Sequence, residues 1–164
     1  MHPFPLVTAI TLLAAMTAPG AQRESLGVFG EWGAFRDVEV PRCYAIAQAA
    51  DTRARRDATP YVTVGTWPRR NVRAQLHVRL GRQLAERPRV LLSVGGRRFD
   101  LQAAKGSAWS AGAAQDAAIV AAMRAAGRMS VTATDNRGNR FTDRYSLDGA
   151  ATAIDAAAVG CIRR

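Results

Sequence analysis

The chain has 164 residues, with 23 basic and 13 acidic side chains and a net charge of +10. That length closes a hydrophobic core without metals or repeats, since a domain of this size buries about two-thirds of the surface its unfolded chain exposes. No apolar run reaches the roughly 20 residues a bilayer span requires, and the positive charge, almost entirely arginine because Lys105 is the only lysine, favours anions as partners.

Residues 1–21 have the layout of a secretory signal: a short start, an apolar run over 6–15, then small residues at Ala18, Gly20 and Ala21 before the first charge at Arg23. Residues 22–164 are then one exported domain. Export makes oxidation the expected state of the two cysteines, Cys43 and Cys161, which sit near opposite ends of that domain.

In chain order, alternating or β-branched segments predict strands over 28–35, 42–49, 61–67, 73–80, 89–94, 129–135 and 140–146. The clearest places Ala74, Leu76, Val78 and Leu80 on a core face and Gln75, His77 and Arg79 on the opposite one. Residues 48–59, with Arg53, Arg55 and Arg56, read as a solvated loop. Gly95-Gly96 is a hairpin turn leading into a strand at 99–101, and 136–139 is a turn with Gly138 at a position that demands positive φ. A helix is expected over 113–126, with Ile119, Val120 and Met123 as its apolar stripe and Gly127 as its stop. A second is expected over 149–159, ended by Gly160. That helix would be tied to the strand carrying Cys43. Strands with helices inserted late predict a mainly β fold, an antiparallel sandwich or partly open barrel with one or two helices against it.

Candidate chemistry is sparse. His77 is the only histidine beyond the signal, on the polar face of a strand, with no Gly-x-Ser-x-Gly motif and no second histidine for zinc. Residues 135–139 begin like a calcium loop, but Arg137 stands where a ligand oxygen is required. We expect no catalytic residues, metal or cofactor. The candidate anion-binding residues are Arg69, Arg70, Arg73, Arg97 and Arg98, whose guanidinium forks suit phosphates or carboxylates. Trp32, Trp67 and Trp109 read as core or sheet-face residues and not as a stacking platform, so nucleic acid is not the expected partner.

The order of these features resembles the invasion-associated locus B family of exported bacterial proteins. The similarity runs through Phe29-Gly30-Glu31-Trp32, Arg42-Cys43-Tyr44-Ala45-Ile46-Ala47, Tyr61-Val62-Thr63-Val64, Asp116-Ala117-Ala118-Ile119-Val120-Ala121-Ala122-Met123-Arg124, Met129-Ser130-Val131-Thr132, Arg137-Gly138 and Tyr145-Ser146-Leu147-Asp148-Gly149, and ends at Cys161. The chain departs from the family where Ala34-Phe35-Arg36 replaces a further cysteine, and in its use of arginine for lysine. The resemblance implies an exported, mainly β protein of the periplasm or cell surface and carries over no catalytic residue. The expected function is non-enzymatic interaction with anionic envelope or host-surface molecules. The alternatives are a small periplasmic enzyme using His77 with a Ser or Asp brought close by folding, and a purely structural envelope factor.

Overall fold

The computed structural model describes residues 23–50 and 56–162; the expected signal sequence and the centre of the 48–59 loop lie outside them. Ten strands form a single antiparallel sheet: β1 (Arg23–Phe29), β2 (Trp32–Asp37), β3 (Arg42–Gln48), β4 (Tyr61–Trp67), β5 (Val72–Arg79), β6 (Val90–Val94), β7 (Arg97–Ala104), β8 (Ser107–Trp109), β9 (Arg128–Thr134) and β10 (Arg140–Ser146). Their spatial order is β1-β2-β3-β4-β5-β8-β7-β6-β9-β10. The sheet curls into a half-barrel, and two helices, α1 (Ala113–Ala125) and α2 (Ala150–Ile162), pack against it. Of the two architectures the sequence allowed, the partly open barrel is the one adopted. No helix among the described residues is long and apolar enough to cross a membrane.

Side-chain alternation sorts the sheet into a buried face and an outer one. Ala45 and Ala47 of β3, Val62 and Val64 of β4, Leu76 and Val78 of β5, Leu92 of β6 and Val131 of β9 share a core with Ile119 and Met123 of α1 and with Ala153, Ile154 and Ala157 of α2. Small residues on β3 and α2 let the helix axis lie close to the strand. Asp116, buried in the first turn of α1, accepts a 2.8 Å hydrogen bond from the amide of Leu76, at the point where the three-residue β8 leaves β5 unpaired.

The β10 edge of the curled sheet is tied to the start of β2 and to the chain after β3. Beyond β9, β10 and the residues that follow it present carbonyls at alternate positions, and three are taken up in succession: Arg144 by the amide of Ala50 at 2.8 Å, Ser146 by the indole Nε1 of Trp32 at 2.9 Å, and Asp148, just past the strand, by the amide of Glu31 at 3.2 Å. Inside this seam Asp143 accepts from the amide of Gly81 at 2.9 Å and lies 3.9 Å from Nε of Arg56. Burial pushes its carboxyl up despite those partners. The neighbouring Tyr145 is buried with its hydroxyl unpartnered, and burial raises its pKa as well.

The structure differs from the sequence reading at five places. The expected strand over 28–35 is a hairpin, because Gly30 takes a φ of 53° and turns the chain between β1 and β2. β8 is a strand the alternation did not reveal, since three residues carry too little pattern. Ala74 is a left-handed residue at the bulged start of β5, with φ 51° and its amide bonded to Thr66 Oγ1, and is only half-buried. Gly160 does not end α2: the helix runs through it, and the glycine makes room for Leu26, whose Cδ1 would stand 2.5 Å from a Cβ there. Arg56 belongs to the seam and donates to the carbonyl of Ala50, so the 48–59 loop is not wholly solvated.

Cys43 and Cys161 form a disulfide across a sequence separation of 118 residues, joining β3 to the last turn of α2. In the chain-entropy account such a closure is worth about 5 kcal/mol. The double variant Cys43→Ser, Cys161→Ser is therefore expected to lose stability of that order in urea unfolding. A midpoint unchanged from the oxidised protein would show that the seam and core alone hold α2 in place.

Candidate functional site

The outer face of β2 to β5 and β8 carries a group of aromatic side chains brought together by strand register. One row across the sheet reads Gly33, Ile46, Thr63, His77 and Trp109; the next reads Phe35, Tyr44, Gly65 and Gln75. In each row a glycine leaves the pleat bare, and the aromatic residue two positions later in the same strand folds over it. Phe35 covers Gly33, and Trp67 covers Gly65 so closely that a Cβ on Gly65 would stand 2.7 Å from the indole.

Trp67, Tyr44, Tyr61 and His77, with Ile46 and Thr63 between them, bound a cleft of about 340 Å³ flanked by Arg23 and Arg42. This lies within the size range of small-ligand sites, about 300–1,000 Å³. The guanidinium of Arg42 lies 4.8 Å from the centre of the Tyr44 ring, and that of Arg23 lies 5.8 Å from both Tyr44 and Phe35. Both arginines share one carboxylate, Asp37, at 2.7 Å from Arg42 and 3.5 Å from Arg23. Two cations on one anion leave the rim with a residual positive charge. Tyr44 is buried, which raises its pKa, with the charge of Asp37 acting in the same direction and the two arginines opposing it.

His77 stands between Tyr61 and Trp109, with ring centres 5.9 and 5.6 Å away. Burial lowers its pKa, and the positive charges of Arg79 and Arg42 lower it further. The imidazole is therefore neutral at pH 7, one nitrogen donating and the other accepting. The cleft lining contains one hydroxyl amino acid, Thr63, besides the tyrosines, and no Ser, Asp or Cys. Among the described residues no group of three or more His, Cys, Asp or Glu side chains is placed to hold a metal ion.

The five arginines singled out by sequence fall into two places. Arg69 and Arg70 form the short 3₁₀ turn between β4 and β5, and Arg73 follows in β5. Arg97 and Arg98 stand at the β6–β7 hairpin, where Arg97 lies over Phe99 and donates to the carbonyl of Ala118. β8 separates the strands that carry the two groups. Of the three tryptophans, Trp32 is core and Trp67 and Trp109 are on the sheet face. Sequence reasoning missed Arg23, Arg42, Tyr44, Tyr61 and Trp67 as a group. Its available signal was the repeated spacing in Gly33-Ala34-Phe35 and Gly65-Thr66-Trp67. Compared with known family models, curated proteins and solved structures, the chain finds no match in any of the three.

The glycine under Trp67 gives a direct check on the cleft wall. Gly65→Ala is expected to displace the indole and change tryptophan emission, whereas Gly127→Ala, which meets nothing within 4 Å, is expected to leave the spectrum as it is. Identical spectra for Gly65→Ala and the parent would mean that Trp67 does not rest on the glycine in solution.

Proposed function

We propose that this chain is an exported, non-enzymatic envelope protein of the invasion-associated locus B kind, which holds acidic saccharides on the outer face of its sheet. The observation that carries the ligand class is the cleft itself. Aromatic faces at Tyr61 and Trp67 suit the apolar face of a sugar ring, and the rim guanidiniums of Arg23 and Arg42 suit a carboxylate or sulfate on it. Neutral His77 at the floor offers a donor and an acceptor to ring hydroxyls. Support for export comes from the Cys43–Cys161 disulfide, a bond that persists in oxidising compartments.

Export is tested by intact mass of the protein isolated from its native compartment, before and after reduction. The expected species lacks about the first 21 residues, as a removable signal requires, and gains two hydrogens on reduction. A full-length chain with free thiols in the cell interior would overturn this part.

Ligand class is tested by calorimetric titration with a galacturonic acid hexamer against an uncharged glucose hexamer. The acidic oligomer is expected to bind, and to bind more weakly as salt rises from about 0.05 to about 0.3 M, because exposed charges are screened over shorter distances. Trp67→Ala should abolish the signal, and Arg42→Gln should weaken it at least about tenfold, the worth of a charge-assisted hydrogen bond. Equal binding of both oligomers, or affinity unchanged in Trp67→Ala, would sink the acidic-saccharide reading.

A further inference from the structure

Among the described residues five large apolar side chains are exposed, and four of them, Val38, Val40, Val159 and Ile162, stand at one end of the molecule. The fifth, Val28, lies at the other end, beside the Gly30-Glu31 turn. The grouping follows from the topology. The turn bearing Val38 and Val40 leaves β2 at Asp37 and re-enters β3 at Arg42, next to Cys43. Cys43 is bonded to Cys161, the neighbour of Ile162, and lies opposite Thr66, so the Pro68–Arg70 turn leaves β4 at the same end. A groove of about 280 Å³, bounded by Pro68, Val72, Ala158 and Ile162, connects the helix end to that turn.

This apolar tip carries unspent positive charge. Arg69, Arg70 and Arg73 are exposed, and none of them makes a hydrogen bond or ion pair with a side chain or carbonyl among the described residues. The acids nearby are largely committed elsewhere: Asp37 to Arg23 and Arg42, and Glu24 to Arg36, leaving Glu39 as the acidic side chain in the β2–β3 turn. The sequence continues past Ile162 with Arg163 and Arg164.

We propose that this end docks on an anionic phospholipid leaflet, with Val38, Val40, Val159 and Ile162 entering below the headgroups and Arg69, Arg70 and Arg73 lying against the phosphates. Branched aliphatic side chains have no use for a sugar, whereas an interface that is apolar below and anionic above satisfies both halves of the tip. Ile162, 79% exposed, and Val40, 57% exposed, are the most exposed of the four apolar side chains at this end. The proposal does not rest on the saccharide reading: the cleft lies on the outer sheet face and adjoins the tip at Arg42 and Trp67, but none of Val38, Val40, Val159, Ile162, Arg69, Arg70 and Arg73 lines it.

The test is co-sedimentation of the disulfide-bonded protein, as isolated from its native compartment, with vesicles of phosphatidylcholine containing about one-third phosphatidylglycerol, and with vesicles of phosphatidylcholine alone. Binding is expected to the anionic vesicles and to be much weaker to the neutral ones. Arg69→Ser with Arg70→Ser should reduce partitioning about thirtyfold, the effect of two basic residues at such a surface. Val40→Asp with Ile162→Asp should reduce it at least about tenfold, and far-ultraviolet circular dichroism should show both double variants folded, since all four positions are exposed. Tyr61→Ala, which alters the cleft at the opposite end of β4 from the Pro68–Arg70 turn, should partition like the parent. Failure to bind anionic vesicles, or equal binding by the parent and both double variants, would overturn the proposal, as would loss of binding in Tyr61→Ala alone.

Discussion

The fold depends on α2 being held at both ends. Where it starts, the carbonyl of Asp148 accepts from Glu31, and Gly149 lies so close to the β1–β2 turn that a Cβ would stand 1.8 Å from the carbonyl oxygen of Phe29. Where it finishes, Cys161 is covalently joined to β3. Between those points the helix crosses β1 to β4, the half of the sheet furthest in spatial order from β10, the strand that feeds it. A ten-stranded open sheet has two free edges, a recognised liability. Here the same connection that leads into α2 brings one of them, β10, against the ends of β2 and β3.

That closure is made with polar groups as well as apolar ones. Trp32 spends its indole proton on the seam while its ring fills the core, and Ala50 and Glu31 give their amides to it. Asp143 and Tyr145, on the same strand, are what the seam costs: a carboxylate held by Gly81 and Arg56 in a place where burial resists its charge, and a hydroxyl with no partner. A buried polar group left unmade costs about 1–3 kcal/mol. The disulfide at the far end of α2, worth about 5 kcal/mol in the chain-entropy account, is of a size to offset such a cost.

Much of this was legible beforehand, and for identifiable reasons. Seven expected strands correspond to observed ones because residues such as Leu76, Val78 and Leu80 alternate cleanly with His77 and Arg79, and the Cys43–Cys161 pair was readable from two cysteines in a chain read as exported. The β1–β2 hairpin was lost because Gly30-Glu31 interrupts a run whose two sides are both apolar, so the alternation continues across the turn. A glycine near a helix end normally stops the helix, whereas Gly160 makes room for Leu26, a contact between residues far apart in the chain that spacing along the sequence does not encode. The cleft was missed for the same reason. Tyr44, Tyr61, Trp67 and His77 come from β3, β4 and β5, and only register makes them neighbours.

The distribution of arginine follows from how few acids there are. Asp37, Asp135, Asp143 and Asp155 each lie against one or more guanidiniums, and in the first and last cases the pairing also fixes structure: Asp37 orients Arg42 over Tyr44, and Asp155 of α2 holds Arg124 of α1. Arginines in these pairs are positioned and partly neutralised, which suits recognition of a ligand of defined shape. Those at the 3₁₀ turn, Arg69 and Arg70, have no such partner among the described residues, which suits a surface without fixed geometry. A single excess of positive charge thus divides into two kinds of surface, one ordered by a carboxylate and an aromatic floor, the other made of guanidiniums that no side chain among the described residues holds.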